Sequence, residues 1–155
     1  MMYEQMIDDY LAGSAQLRLT VGDLTDKQLD AIPIVGKWSI RQVICHLADF
    51  ETIYADRMKR VIVESEPNLP GGDPGKFAAS LSYEKRSVRH ELEVVSAVRR
   101  QMVTILQSLR SADFQRTGIH SRDGALTLEA LLRRITEHLP HHVRFIDEKR
   151  RALGL

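Results

Sequence analysis

Apolar residues recur along most of the chain at spacings of three and four, the period of an α-helix with one buried face. Tyr3, Met6, Tyr10, Ser14, Leu17, Val21 and Leu24 follow this spacing first, with an interruption near Gly22. Thr25 and Gln28 then match a capping box for a short helix that Pro33 closes. The second long stripe is Val43, Leu47, Phe50, Tyr54, Met58 and Val61; Ser39 can cap it, Gln42 can reach back, and Pro67 lies beyond its end. The third runs from about Ser82 to Leu109 through Val88, Leu92, Val95, Met102 and Leu106. The fourth starts at Thr127, a suitable N-cap, with Leu126 and Leu131 spaced as a hydrophobic staple. It continues through Leu128, Leu132, Ile135, Leu139 and Ile146.

Valine and isoleucine sit in helical rather than alternating patterns, so β-signatures are weak throughout. The stretch PNLPGGDPG, Pro67 to Gly75, is crowded with helix terminators and reads as a linker. A second loop, Ser111 to Ala125, joins the last two long helices, and no internal repeat is present. Four one-sided helices can enclose one core. The expectation is an all-α four-helix bundle, a single domain over residues 1–155.

Composition narrows the partners. The 22 basic and 21 acidic residues leave a formal net charge of +1, which argues against a nucleic-acid binder held by phosphate contacts. The basic run KRSVRH, Lys85 to His90, has no interleaved aromatics and reads as a solvated face. The single cysteine, Cys45, rules out an internal disulfide and fits a reducing compartment. The opening MMYEQMIDDY is acidic and has no signal-peptide pattern, and no apolar run is long enough for a bilayer. A cytoplasmic protein with no membrane partner is expected.

The chemistry concentrates in histidine. On a wheel advancing about 100° per residue from Ile135, His142 falls near −20° and His138 near −60°, so both lie on the buried side of one helix. His141 falls near −120° and points to solvent. From Val43, His46 falls near −60°, on the edge of the second helix's core stripe. An i,i+4 pair plus one imidazole from another helix can present three nitrogens to one metal ion. Pro140, between the pair, lacks an N–H for the Thr136 carbonyl and is expected to kink or open the helix. Glu91 and Arg99 fall inside the third stripe. Structural pairing or outward-reaching stems explain both; alternatively, Arg99 anchors a carboxylate of a substrate or thiol cofactor while Glu91 supports an imidazole. Asp49 is a second supporting candidate, Cys45 projects away from the site, and Trp38 is expected to staple the helix start, with lining a pocket rim as the alternative.

GKWSIRQVICHLADFE (Gly36 to Glu51) and TLEALLRRITEHLPHHVRFI (Thr127 to Ile146) together resemble the DinB/YfiT-like superfamily across essentially the whole chain. The resemblance implies an up-down-down-up bundle, often a homodimer, with a divalent metal, zinc or nickel, on His46, His138 and His142. It also implies enzymes of low-molecular-weight thiols, here a metal-dependent transferase acting on a small molecule with the thiol as cosubstrate. The alternatives are a metal-dependent hydrolase acting through bound water and a non-catalytic metal-binding module.

Overall fold

The computed structural model describes residues 2–155. Its elements, in chain order, are α1 (Glu4–Val21), α2 (Asp26–Asp30), α3 (Ile40–Val63), β1 (Asn68–Leu69), α4 (Pro74–Ser80), α5 (Val88–Gln107), β2 (Thr117–His120), β3 (Gly124–Thr127) and α6 (Leu128–Ala152). The four long helices form the bundle: α3 and α1 each pack against both α5 and α6, so α1 faces α3 across a diagonal. No helix among the described residues is long and apolar enough to cross a membrane.

Local chemistry sets the helix starts. Thr25 accepts the Gln28 amide and Gln28 Oε1 accepts the Thr25 amide, a reciprocal box that Ser39 and Gln42 repeat at the head of α3. Thr127 Oγ1 accepts the Ala130 amide at 3.0 Å and starts α6. Leu126 and Leu131 are both buried in one cluster beside it.

The third long helix starts later than its apolar stripe suggests. Ser82 adopts a left-handed φ of 52°, Tyr83–Lys85 make a single 3-10 turn, and Ser87 caps α5. The buried Tyr83 ring draws this segment against α3, where its carbonyl accepts the Cys45 thiol.

Both expected loops also hold strands. Asn68 and Leu69 pair in parallel with Ile119 and His120, and β2 turns back on β3 through Gly124, whose φ is +72°. Gly118 is required in β2, since a Cβ there would lie 2.8 Å from Leu69 and 2.9 Å from Val61. Asp73 caps α4 by accepting the Gly75 and Lys76 amides. Phe77 of that helix rests against Phe50 of α3, with ring centroids 5.6 Å apart. Strands of two to four residues carry too little alternation for sequence pattern to reveal.

Pro140 does not open α6, which stays helical from Leu128 to Ala152. Buried Ile135 and Leu139 before it, and Val143 and Ile146 after it, keep the helix packed and continuous across the missing N–H.

The core divides into two apolar clusters. One contains Tyr10, Ala55, Met102 and Ile135; the other contains Leu17, Ala48, Val95 and Leu139. On every long helix the boundary falls at one level, and there Arg99 and Glu51 meet with no exposed surface. Arg99 Nε donates to Glu51 Oε1 at 3.0 Å, Nη2 donates to the same oxygen and to the Ile135 carbonyl at 3.0 Å, and Nη1 donates to the Tyr10 carbonyl. One guanidinium thus joins all four long helices. Gly13 makes room for it, because a Cβ there would lie 2.6 Å from Arg99 Nη1.

Removing one partner strands a charge in the interior. Arg99→Met is expected to cost about 3–5 kcal/mol in urea unfolding, and the Arg99→Met, Glu51→Leu double variant should recover much of that loss. Equal stability of single and double variants would contradict this account.

Candidate metal centre

The capping box fixes where α3 begins, and His46 lies seven residues after Ser39 on its inner face. α6 brings His138 and His142 one turn apart to the same place. Their ring centroids are 4.7–4.9 Å from one another. His46 Nε2 lies 3.0 Å from His138 Nε2 and 3.2 Å from His142 Nε2.

Hydrogen bonding alone does not satisfy that arrangement. A neutral ring nitrogen carries either one proton or one in-plane lone pair, so His46 Nε2 cannot serve two such neighbours well. A cation drawing on three lone pairs does satisfy it. The observed separations are close to the roughly 3.3 Å between two nitrogens around a tetrahedral zinc with Zn–N of about 2.0–2.1 Å. The donor set fits a divalent ion with borderline preference for imidazole.

The electrostatics agree. Burial lowers His46 to a pKa of about 4, against a weak opposing pull from Asp49. Burial, then the neighbouring imidazoles, bring His138 and His142 to about 3. All three are therefore neutral near pH 7, with lone pairs free for a metal. His46 Nδ1 and His138 Nδ1 are buried without partners among the described residues. Packing instead orients the rings: Trp38 and Phe50 lie 5.3 and 4.7 Å from the His46 ring.

The cluster forms one wall of a cavity of about 390 Å³, completed by Trp38, Phe50, Tyr54, Pro74, Arg134 and His141. No carboxylate lines it. A larger cavity of about 760 Å³ lies elsewhere, around Arg41 and Arg86, whose charges are already matched by the protein's own acids.

The remaining expected site residues are engaged elsewhere. Arg99 does not face the cavity; the carboxylate it anchors is the protein's own Glu51, and it is a core residue. Asp49 and Glu91 do not bond to the imidazoles either. Arg86 takes both, with its Nη2 2.8 Å from Asp49 Oδ1 and 2.7 Å from Glu91 Oε2, and Tyr83 donates to Asp49 at 2.8 Å. Cys45 is buried and its thiol is pushed up to about 12, so it is no thiolate near neutrality. His120 accepts the Arg122 and Asp123 amides on β2 and stands outside the cluster. His141 is exposed at the cavity wall, with Nδ1 3.1 Å from Arg144. Trp38 lines the cavity, the second of the two roles its place before the α3 cap allowed. Tyr54, a member of the second apolar stripe, and Arg134 also line the cavity, a role not assigned to them from the sequence. Phe50 and Tyr54 follow His46 at i+4 and i+8, and Arg134 precedes His138 by four, so helical spacing from the ligands was the available signal.

The sequence profile of the DinB superfamily matches residues 11–146. The chain belongs to the DinB superfamily. Among its DinB relatives, a candidate metal-dependent hydrolase of Oceanobacillus iheyensis is 30% identical over 130 residues, covering 84% of this chain and 75% of that protein. YfiT of Bacillus subtilis, a probable metal-dependent hydrolase with an unusual four-helix-bundle topology, superposes with a TM-score of 0.91 at 26% identity, over 97% of this chain and 87% of that one. A mycothiol-dependent maleylpyruvate isomerase shares the fold, with a TM-score of 0.72 at 8% identity, over 90% of this chain and 58% of that one.

The depressed histidines make the metal-free protein acid-sensitive. Unfolded imidazoles protonate near 6.5, whereas the folded ones resist until about 3–4. Between those values the unfolded chain binds more protons, so stability falls as pH falls. Urea midpoints in the presence of a chelator should drop from pH 7 to pH 4, and less steeply in His138→Leu. A pH-independent midpoint would exclude three buried neutral imidazoles.

Proposed function

We propose that this DinB protein is a metal-dependent hydrolase whose divalent ion, zinc or nickel, is held by His46, His138 and His142. The observation that carries the reading is the convergence of three neutral imidazoles on a cavity without carboxylates. Neutral ligands leave the ion's charge uncompensated, and such an ion supplies Lewis acidity and activates water near neutral pH. Trp38, Phe50 and Pro74 form an apolar wall for the substrate's body. Arg134, steadied by Asp123 at 2.7 Å, and Tyr54 offer donors to a substrate oxygen. His141 is the lining imidazole outside the cluster and stands at the exposed edge of the cavity.

The names of the Oceanobacillus relative and of YfiT support hydrolysis over thiol transfer. The thiol reading has behind it a likeness of fold at 8% identity, which carries no chemistry.

Reconstituted wild-type protein should retain about one ion per chain after exchange into metal-free buffer, and His46→Ala and His142→Ala should lose it. Wild-type protein should turn over activated esters or amides without added thiol. His142→Ala should lower kcat/KM by more than the roughly 10–100-fold typical of losing a group that supports a ligand. Full metal retention by both variants would refute the site, and turnover strictly dependent on thiol would refute hydrolysis.

A further inference from the structure

Lys149 is the anomaly of α6. It is 3% exposed, yet among the described residues its ammonium has no hydrogen bond and no carboxylate within salt-bridge distance. The other buried cations have partners: Arg99 has Glu51, Arg41 has Asp30, and Arg57 donates to the Pro70 carbonyl at 2.7 Å. Lys149 has only the Phe145 ring, 5.9 Å from its nitrogen, and more distant charges of both signs from Glu148 and Lys37. The stem is buried but the ammonium opens onto a cavity, and a cation there without a counter-charge is a ready partner for an anion.

Its position says where that ligand lies. Lys149 follows His142 by seven residues, two turns along the same face and about 10 Å along the axis. Helix side chains lean toward the N-terminus, so the lysine stem reaches back toward His142. Lys149 lines a second cavity of about 240 Å³ with Lys37, Trp38, Val43, His142 and Phe145. Trp38 and His142 also line the cavity of the histidine cluster, so the two spaces share a wall. Lys37 is exposed, has no carboxylate partner among the described residues, and is held by a turn through Gly36 at φ +76°.

We propose that Lys149 and Lys37 form an anion-binding subsite beside the metal centre, which receives a carboxylate group of the substrate. The substrate is then a small molecule with an acidic group a short chain-length from its scissile bond. Its assignment as substrate rests on the hydrolytic reading; the subsite does not. Paired lysines give a point-charge pocket, while Trp38 and Phe145 offer apolar surface for the carbons next to the carboxylate.

Trp38 is the chain's single tryptophan, so its fluorescence reports on both cavities. Propionate and its neutral isostere propionamide are titrated at constant ionic strength into zinc-loaded and chelator-treated protein. Propionate is expected to give a saturable signal in both forms and propionamide none. Lys149→Met should weaken propionate at least tenfold with unchanged zinc content, and Lys37→Gln severalfold. Lys149→Met keeps the buried apolar stem and removes an unpaired cation, so its melting temperature should not fall; Lys149→Arg, which keeps the charge, should keep most of the binding. Equal affinity for acid and amide, or wild-type affinity in Lys149→Met, would overturn the subsite. So would a propionate signal that requires zinc and survives in Lys149→Met, since the ion itself would then be the acceptor. Inactivity toward thiol-free esters alongside Lys149-dependent binding would instead count against hydrolysis and leave the subsite standing.

Discussion

Arg99 and Glu51 meet at the one level of the bundle where no apolar residue could do the same work. Each long helix contributes a group there: the carboxylate from α3, the guanidinium from α5, and backbone carbonyls from α1 and α6. An apolar contact can slide by part of a turn at little cost, whereas a buried guanidinium with a fixed fork of donors cannot. The pair therefore sets the axial register of four helices at once. Its acceptor on α6, the Ile135 carbonyl, lies three residues before His138. The register of α6 is thus fixed within one turn of the histidine cluster, close to where placement matters most.

The imidazoles are held differently from the ion pair. Two of their outer nitrogens lack partners among the described residues, and the acids that could have backed them are bound to Arg86. Aromatic walls do the orienting instead. This leaves the cluster with no carboxylate bonded to its rings among the described residues; Asp49 acts on His46 only at a distance. A carboxylate behind a ligand would make that ligand more basic and would dampen the acidity of an ion held there.

Much of this was legible from residue spacing because helices encode their own faces. The positions of His46, His138 and His142 followed from angles on two wheels, and Thr25, Ser39 and Thr127 cap where their neighbours said they would. A wheel gives direction within a helix and is silent on what stands opposite. Glu51 and Arg99 are 48 residues apart, so their pairing, and with it the loss of Arg99 as a substrate anchor, needed the packed bundle. Arg86 is the same case: a member of a basic run in sequence, it is the clamp on Asp49 and Glu91 in space. The strands escaped because each is short and each makes sense only beside its partner.

The parallel pairing of β1 with β2 ties the loop after α3 to the loop before α6. That loop goes on to α4, whose Pro74 lines the cavity and whose Phe77 rests on Phe50. The histidines ride on the rigid bundle, but this part of the wall belongs to a separately anchored flap of chain. Residues 70–80 reach the histidines through Phe50, on which Phe77 rests. One stretch of the cavity wall is thus carried on a different piece of the fold from the helices that hold the histidines.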